Sequence, residues 1–132
     1  MKNEFIPYEQ ALALKELGFD EPCFSIYHSK DKSFSWHHHI DHINNEPALE
    51  SGEFNISAPL YQQAFRWFRD KHNLVFNFIS YSIVKPGEYH WSITWHDVAK
   101  ASGIVKTYEE AESACLDKLI EICKTKNNEQ AN

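Results

Sequence analysis

At Leu74 the hydrophobic pattern of the chain changes period, from that of a helix to that of a strand, and this switch constrains the fold more than any other feature. Ahead of it, "SAPLYQQAFRWFRDKH" sets Leu60, Ala64 and Trp67 in one row and Tyr61, Ala64, Phe65 and Phe68 in the next. That spacing predicts an amphipathic helix with a wide apolar stripe, lying across a sheet. Ser57 fits its N-cap, and Pro59 stands in the first turn, where a missing N–H costs little. Beyond the switch, "LVFNFISYSIV" alternates Val75, Asn77, Ile79, Tyr81 and Ile83 with Phe76, Phe78, Ser80 and Ser82. In "EYHWSITWH", Tyr89, Trp91, Ile93 and Trp95 alternate with His90, Ser92, Thr94 and His96, as in an antiparallel strand with one buried face. Lys85-Pro86-Gly87-Glu88 between the two reads as a type II turn. The two periods together predict a shared core of Tyr61, Phe65, Phe68, Trp91, Trp95, Leu116 and Leu119.

The flanking segments carry weaker signals. "PYEQALALKEL" reads as a first helix opened by Pro7 and ended at Gly18, with Phe19 supplying the hydrophobic contact of a glycine cap. Cys23–His28 and Ser33–His37 read as strands about a polar turn, and Ile40–Gly52 as a long loop before a short strand at Glu53–Ile56. A last helix starts at Thr107, which with Glu110 makes a capping box. Ala111, Ala114, Cys115, Leu119, Ile122 and Cys123 mark its buried side, widened by Leu116 and Ile120. Residues 125–132 read as a polar, fraying tail. "PYEQAL", "LYQQAF" and "TYEEAE" open their helices alike, which fits either an αββ-αββ-α order or shared capping chemistry. The expectation is an α+β fold: an antiparallel sheet of four or five strands with two or three helices packed on one face. Residues 1–124 are expected to form a single domain.

Composition narrows the function classes. The chain has 132 residues, 42% hydrophobic and 14% aromatic, enough to bury a core. Thirteen basic against nineteen acidic residues give a net charge of −6 with histidine neutral, which argues against general nucleic-acid binding. Cys23, Cys115 and Cys123 show no CxxC spacing, and the last two, on one helix, stand roughly 12 Å apart along its axis, too far to bridge. Reduced thiols in a cytoplasmic protein are expected. The N-terminus has no signal-peptide h-region, and the longest purely apolar run is Ala11–Leu14, so no membrane segment is expected.

"APLYQQAFRWFRDKHNL" and "TYEEAESACLDKLIEI", with the opening "PYEQALALKELGFDEPC", resemble a family of small uncharacterised proteins from Bacteroides and their phages. The likeness covers about half of the chain. It implies a cytoplasmic protein carried on a mobile element and brings no assigned activity, cofactor or catalytic residue. The histidine-rich segment is not part of the pattern.

Three constellations carry chemistry. "WHHHIDH" offers His37, His39, Asp41 and His42, with His38 between them, as ligands for Zn²⁺, Ni²⁺ or Cu²⁺. Strand geometry would put His37 and His39 on one face, and a turn would bring His39 and His42 together; His90 or His96 would complete a site. The spacing matches no recognised metal motif, so adventitious Zn or Ni binding, or plain surface histidines, compete with it, and no cofactor is expected. Arg66, Arg69 and Lys71, with His72 and Trp67, would form a basic and aromatic patch for phosphate or single-stranded nucleic acid; a solvated helix face with Trp67 turned inward is the alternative. His90, Ser92, Thr94 and His96 line one strand face without a placed acid, which does not make a nucleophilic site. The sequence therefore predicts a non-enzymatic accessory or interaction module, monomer or homodimer, acting on a protein partner it does not identify. Nucleic-acid binding through Arg66 and Arg69, and metal binding at the His37–His42 loop, are the alternatives.

Overall fold

The computed structural model describes residues 2–41, 43–74, 76–95 and 98–131; the described side chains exclude those of residues 2, 37–41, 76–78, 98–100 and 130–131. The chain is α+β and divides into two compact units, Met1–Leu60 and Tyr61–Asn132. Each unit opens with a helix followed by an antiparallel hairpin. The expected single sheet of four or five strands is replaced by two three-stranded antiparallel sheets, one per unit.

In the first unit, helix α1 (Tyr8–Glu16) is followed by strands β1 (Cys23–His28), β2 (Phe34–Asp41) and β3 (Asn55–Ser57), in sheet order β2-β1-β3. Helix α1 ends as its sequence predicts. Gly18 adopts φ +96, the Phe19 N–H donates to the Leu14 carbonyl at 2.9 Å, and the Phe19 ring is buried. The helix packs against β3 through a face that includes Ala11 and Leu14. Phe5, Tyr8, Tyr27, Phe34 and Trp36 form a chain of tilted and edge-on rings with centroids 5.2–5.7 Å apart. The Tyr27 hydroxyl, buried beneath them, donates to the Ile6 carbonyl at 2.8 Å.

Two expectations fail in this unit. Strand β2 runs to Asp41, past its expected end at His37 and into the loop predicted over Ile40–Gly52, which then makes a 3₁₀ turn, Ile43–Asn45, with Ile43 buried. Asn44 in that turn ties the unit together: its Nδ2 donates to the Phe19 carbonyl and its Oδ1 accepts from the Ser57 N–H, both at 2.9 Å. Ser57 itself is not a helix cap. It belongs to β3, is fully buried, and its hydroxyl has no hydrogen-bond partner there.

In the second unit, helix α2 (Tyr61–His72) leads into β4 (Phe76–Tyr81), β5 (Tyr89–Trp95) and β6 (Val98–Val105), in sheet order β4-β5-β6, and α3 (Tyr108–Ala131) closes it. Asn73 explains the change of period at Leu74. It takes the left-handed conformation at φ 54, the Leu74 N–H reaches back to the Phe68 carbonyl at 3.4 Å, and the Leu74 side chain is buried. The helix is thus ended by an Asn in the position more often held by Gly. Tyr61, Ala64, Phe65, Trp67 and Phe68 are buried, which is the wide stripe the spacing predicts. The helix that lies across the sheet, however, is α3, which packs on β4, β5 and β6; α2 packs on α3.

Thr107 caps helix α3 as expected, whereas the return bond of the expected capping box goes to the residue before it. The Glu110 N–H donates to Thr107 Oγ1 at 3.1 Å, and Glu110 Oε2 accepts from the Lys106 N–H at 3.2 Å. Its buried side carries Ala111, Cys115, Leu116, Leu119, Ile120 and Cys123. The helix continues to Ala131, through the segment whose composition reads as a polar tail. Of the expected core, Tyr61, Phe65, Phe68, Leu116 and Leu119 are buried, while Trp91 and Trp95 are only half-buried, and Ile93 between them is the fully buried residue of β5. Strand β6 lies in a stretch between the Tyr89–His96 alternation and Thr107 for which the sequence pattern predicts no element. In the ladder Gly103 stands opposite Trp91, and the indole lies directly over it.

Candidate interaction site

The structure places the histidine run in strand β2 rather than in a loop. Between the pairs Ser25↔Trp36 and Cys23↔Asp41 the β1–β2 register shifts, so His37, His38 and His39 fall in an irregular stretch of the ladder. The side chains of His37, His39 and Asp41, and the whole of His42, lie outside the described residues. Among the described residues no group of three or more His, Cys, Asp or Glu side chains is arranged to hold a metal ion.

Arg66, Arg69 and Lys71 are exposed on α2, but Trp67 is buried, with its ring centroid 5.1 Å from that of Phe68 and 4.8 Å from that of His72. The basic and aromatic residues therefore do not form one surface, because neighbours one or three positions apart here straddle the edge of the buried stripe. Arg69 and Lys71 lie in the last turn of α2, where cations complement the helix dipole without any ligand. On the second sheet, His90, Ser92 and Thr94 do share one face, with His90 Nε2 3.4 Å from Glu88 Oε2; His96 lies outside the described residues.

The site that stands out was not marked by any motif. Strand β4 stops at Tyr81, two residues short of the apolar alternation, and the next seven residues form the connection to β5. Its closure is local. The Ser82 N–H donates to the Glu88 carbonyl at 2.9 Å, the Lys85 N–H to Ser82 Oγ at 3.1 Å, and the Gly87 N–H to the Tyr81 hydroxyl at 3.0 Å. Gly87 adopts φ +91, as the second central residue of a type II turn must. A hairpin closed this way projects Ile83 and Val84 outward, 89% and 84% exposed. Beside it the rings of Tyr81, Tyr89 and Tyr108 form a chain, with centroids 5.1 Å and 6.1 Å apart, and Tyr81 and Tyr108 are themselves exposed. This end of the second sheet therefore offers two adjacent aliphatic side chains and an aromatic row to solvent. Apolar side chains gathered on an ordered surface are the ordinary signature of a docking site.

No family model, curated protein or solved structure matches the chain. Among the described residues no helix is long and apolar enough to cross a membrane.

The apolar tip could have been suspected from sequence. Ser-Ile-Val-Lys-Pro-Gly puts two β-branched residues directly before a turn signal, and their alternation with Tyr81 made them look like strand.

Proposed function

We propose that the protein is a non-enzymatic interaction module that presents the Ser82–Glu88 hairpin and the adjoining tyrosines to a protein partner. The observation that carries this reading is the near-complete exposure of Ile83 and Val84 on a hairpin held by its own hydrogen bonds. Moving such side chains from water into a partner's apolar groove gives roughly 1.5–3 kcal/mol each. Lys85 adjoins them, so a groove with an acidic rim fits best. Nucleic-acid binding through Arg66, Arg69 and Lys71 draws less support, since the buried Trp67 supplies no stacking surface beside them.

The test compares the intact chain with an Ile83→Ser/Val84→Ser variant as baits, cross-linked in the native host and read by quantitative mass spectrometry. A protein captured by the first and lost from the second supports the reading, as does a homodimer by light scattering that becomes monomeric in the variant. Identical captures and identical masses for both chains overturn it.

A further inference from the structure

At the other end of the second sheet, where β5 finishes, a cleft of about 440 Å³ opens beside the end of α2 and the second half of α3. Its size falls within the range of small-ligand sites. Leu74, Trp95, Ile122 and Cys123 supply an apolar lining. The Cys123 thiol belongs to that lining as a neutral group, because burial pushes it up to about 11. The cleft carries four charged side chains, Lys118, Glu121, Lys126 and Glu129. Lys118 and Glu121 neutralise one another, with Nζ 2.9 Å from Oε1. Lys126 makes no ion pair among the described residues, and its ammonium is held over the Trp95 ring, 5.8 Å from the centroid. Its charge also lowers the proton affinities of both His72 and Cys123. The His72 imidazole, half-buried beside Trp67 and Phe68, is kept uncharged first by burial and then by Lys126, so it adds a neutral ring, its buried Nε2 without a hydrogen-bond partner among the described residues, rather than a second cation.

We infer that this cleft binds a small monocarboxylate with an apolar body, its chain or ring against Leu74, Trp95 and Ile122 and its carboxylate on the Lys126 ammonium. The arrangement matches such a ligand end for end: the Lys126 ammonium stands at the Trp95 ring, beside Leu74 and Ile122. A neutral apolar molecule would leave Lys126 unused, and an organic cation would meet it as a like charge. Nothing in this inference depends on the hairpin at the far end of the sheet.

The experiment titrates isotope-labelled full-length protein with octanoate, octanol and octylammonium in turn, following the Trp95 indole N–H and the His72 ring signals. Octanoate is expected to bind saturably and to shift both, with octanol and octylammonium weaker. Lys126→Met keeps most of the side-chain stem over Trp95 and removes the charge. It should weaken octanoate about tenfold and leave octanol unchanged. Lys124→Met, on an exposed position of the same helix outside the cleft, should alter neither. Octanol binding as tightly as octanoate, tighter binding of octylammonium, an unchanged octanoate affinity in Lys126→Met, or no shifts at Trp95 with millimolar octanoate would each overturn the assignment.

Discussion

Replacing Gly103 by alanine should destabilise the second unit through one neighbour. A Cβ built on Gly103 would lie 2.6 Å from Cε2 and 2.8 Å from Cζ2 of Trp91, with Nε1 nearer still. Real Cβ atoms do not come that close, and the obstacle is a rigid fused ring rather than the end of a flexible chain. Gly103 is not in the left-handed region, so alanine meets no backbone penalty, and in a strand it would gain roughly 0.5–1 kcal/mol over glycine from reduced chain entropy. Against that gain stands the displacement of the indole, an overpacking cost of roughly 1–3 kcal/mol. The net loss should be about 1–2 kcal/mol, a fall in Tm of several degrees in a chain of this size. A double-mutant cycle isolates the cause. Urea denaturation followed by circular dichroism should give a loss for Gly103→Ala in the parent and none, or a small gain, in a Trp91→Ala background. An equal loss in both backgrounds would show that the indole is not what excludes a side chain at this position.

Three further outcomes are expected. Thr107→Ala should cost about 1 kcal/mol in the same denaturation assay, because it removes the oxygen that accepts from the Glu110 N–H at the start of α3; Thr107→Ser should restore most of it. Cys115 and Cys123, pushed by burial up to about 12 and about 11, should stay unreactive towards a disulfide reagent at pH 8 until denaturant is added. His72 binds its proton less readily in the folded chain than in the unfolded one, through burial and then Lys126, with Lys118, Glu121 and Glu129 also in the cleft it lines. Its contribution is complete above the unfolded value of about 6.5 and is lost as pH falls from there through the lower folded value. Stability measured from pH 7.5 to 5 should therefore decline less in His72→Gln than in the parent.

Much of the local architecture was legible in the sequence because its causes are local. The end of α1 follows from Gly18 and Phe19, the start of α3 from Thr107 and Glu110, and the turn before β5 from Pro86 and Gly87. The buried stripe of α2 follows from spacing alone. Residue type left open whether Arg66, Arg69 and Trp67 share one surface or Trp67 turns inward; a helix turns about 100° per residue, and the buried indole decides for the second. The tip at Ile83 and Val84 was hidden by the same alternation that identified the strand before it.

What only the tertiary structure decided is which strands pair and which residues close each unit. Period-2 alternation identifies a strand face but not its neighbour, so nothing in the sequence separates one sheet of several strands from two of three. In the first unit the third strand joins β1, on the side away from β2; in the second it joins β5, on the side away from β4. Ser57 is locally a good helix cap, yet its backbone is taken by pairing with β1 and by Asn44, thirteen residues earlier in a stretch without periodicity. Capping is a short-range preference of about 1 kcal/mol, and burying a strand between β1 and α1 outweighs it. Local chemistry fixes where elements begin and end, whereas partners far apart in the chain are fixed by which arrangement buries the apolar faces and satisfies the backbone together.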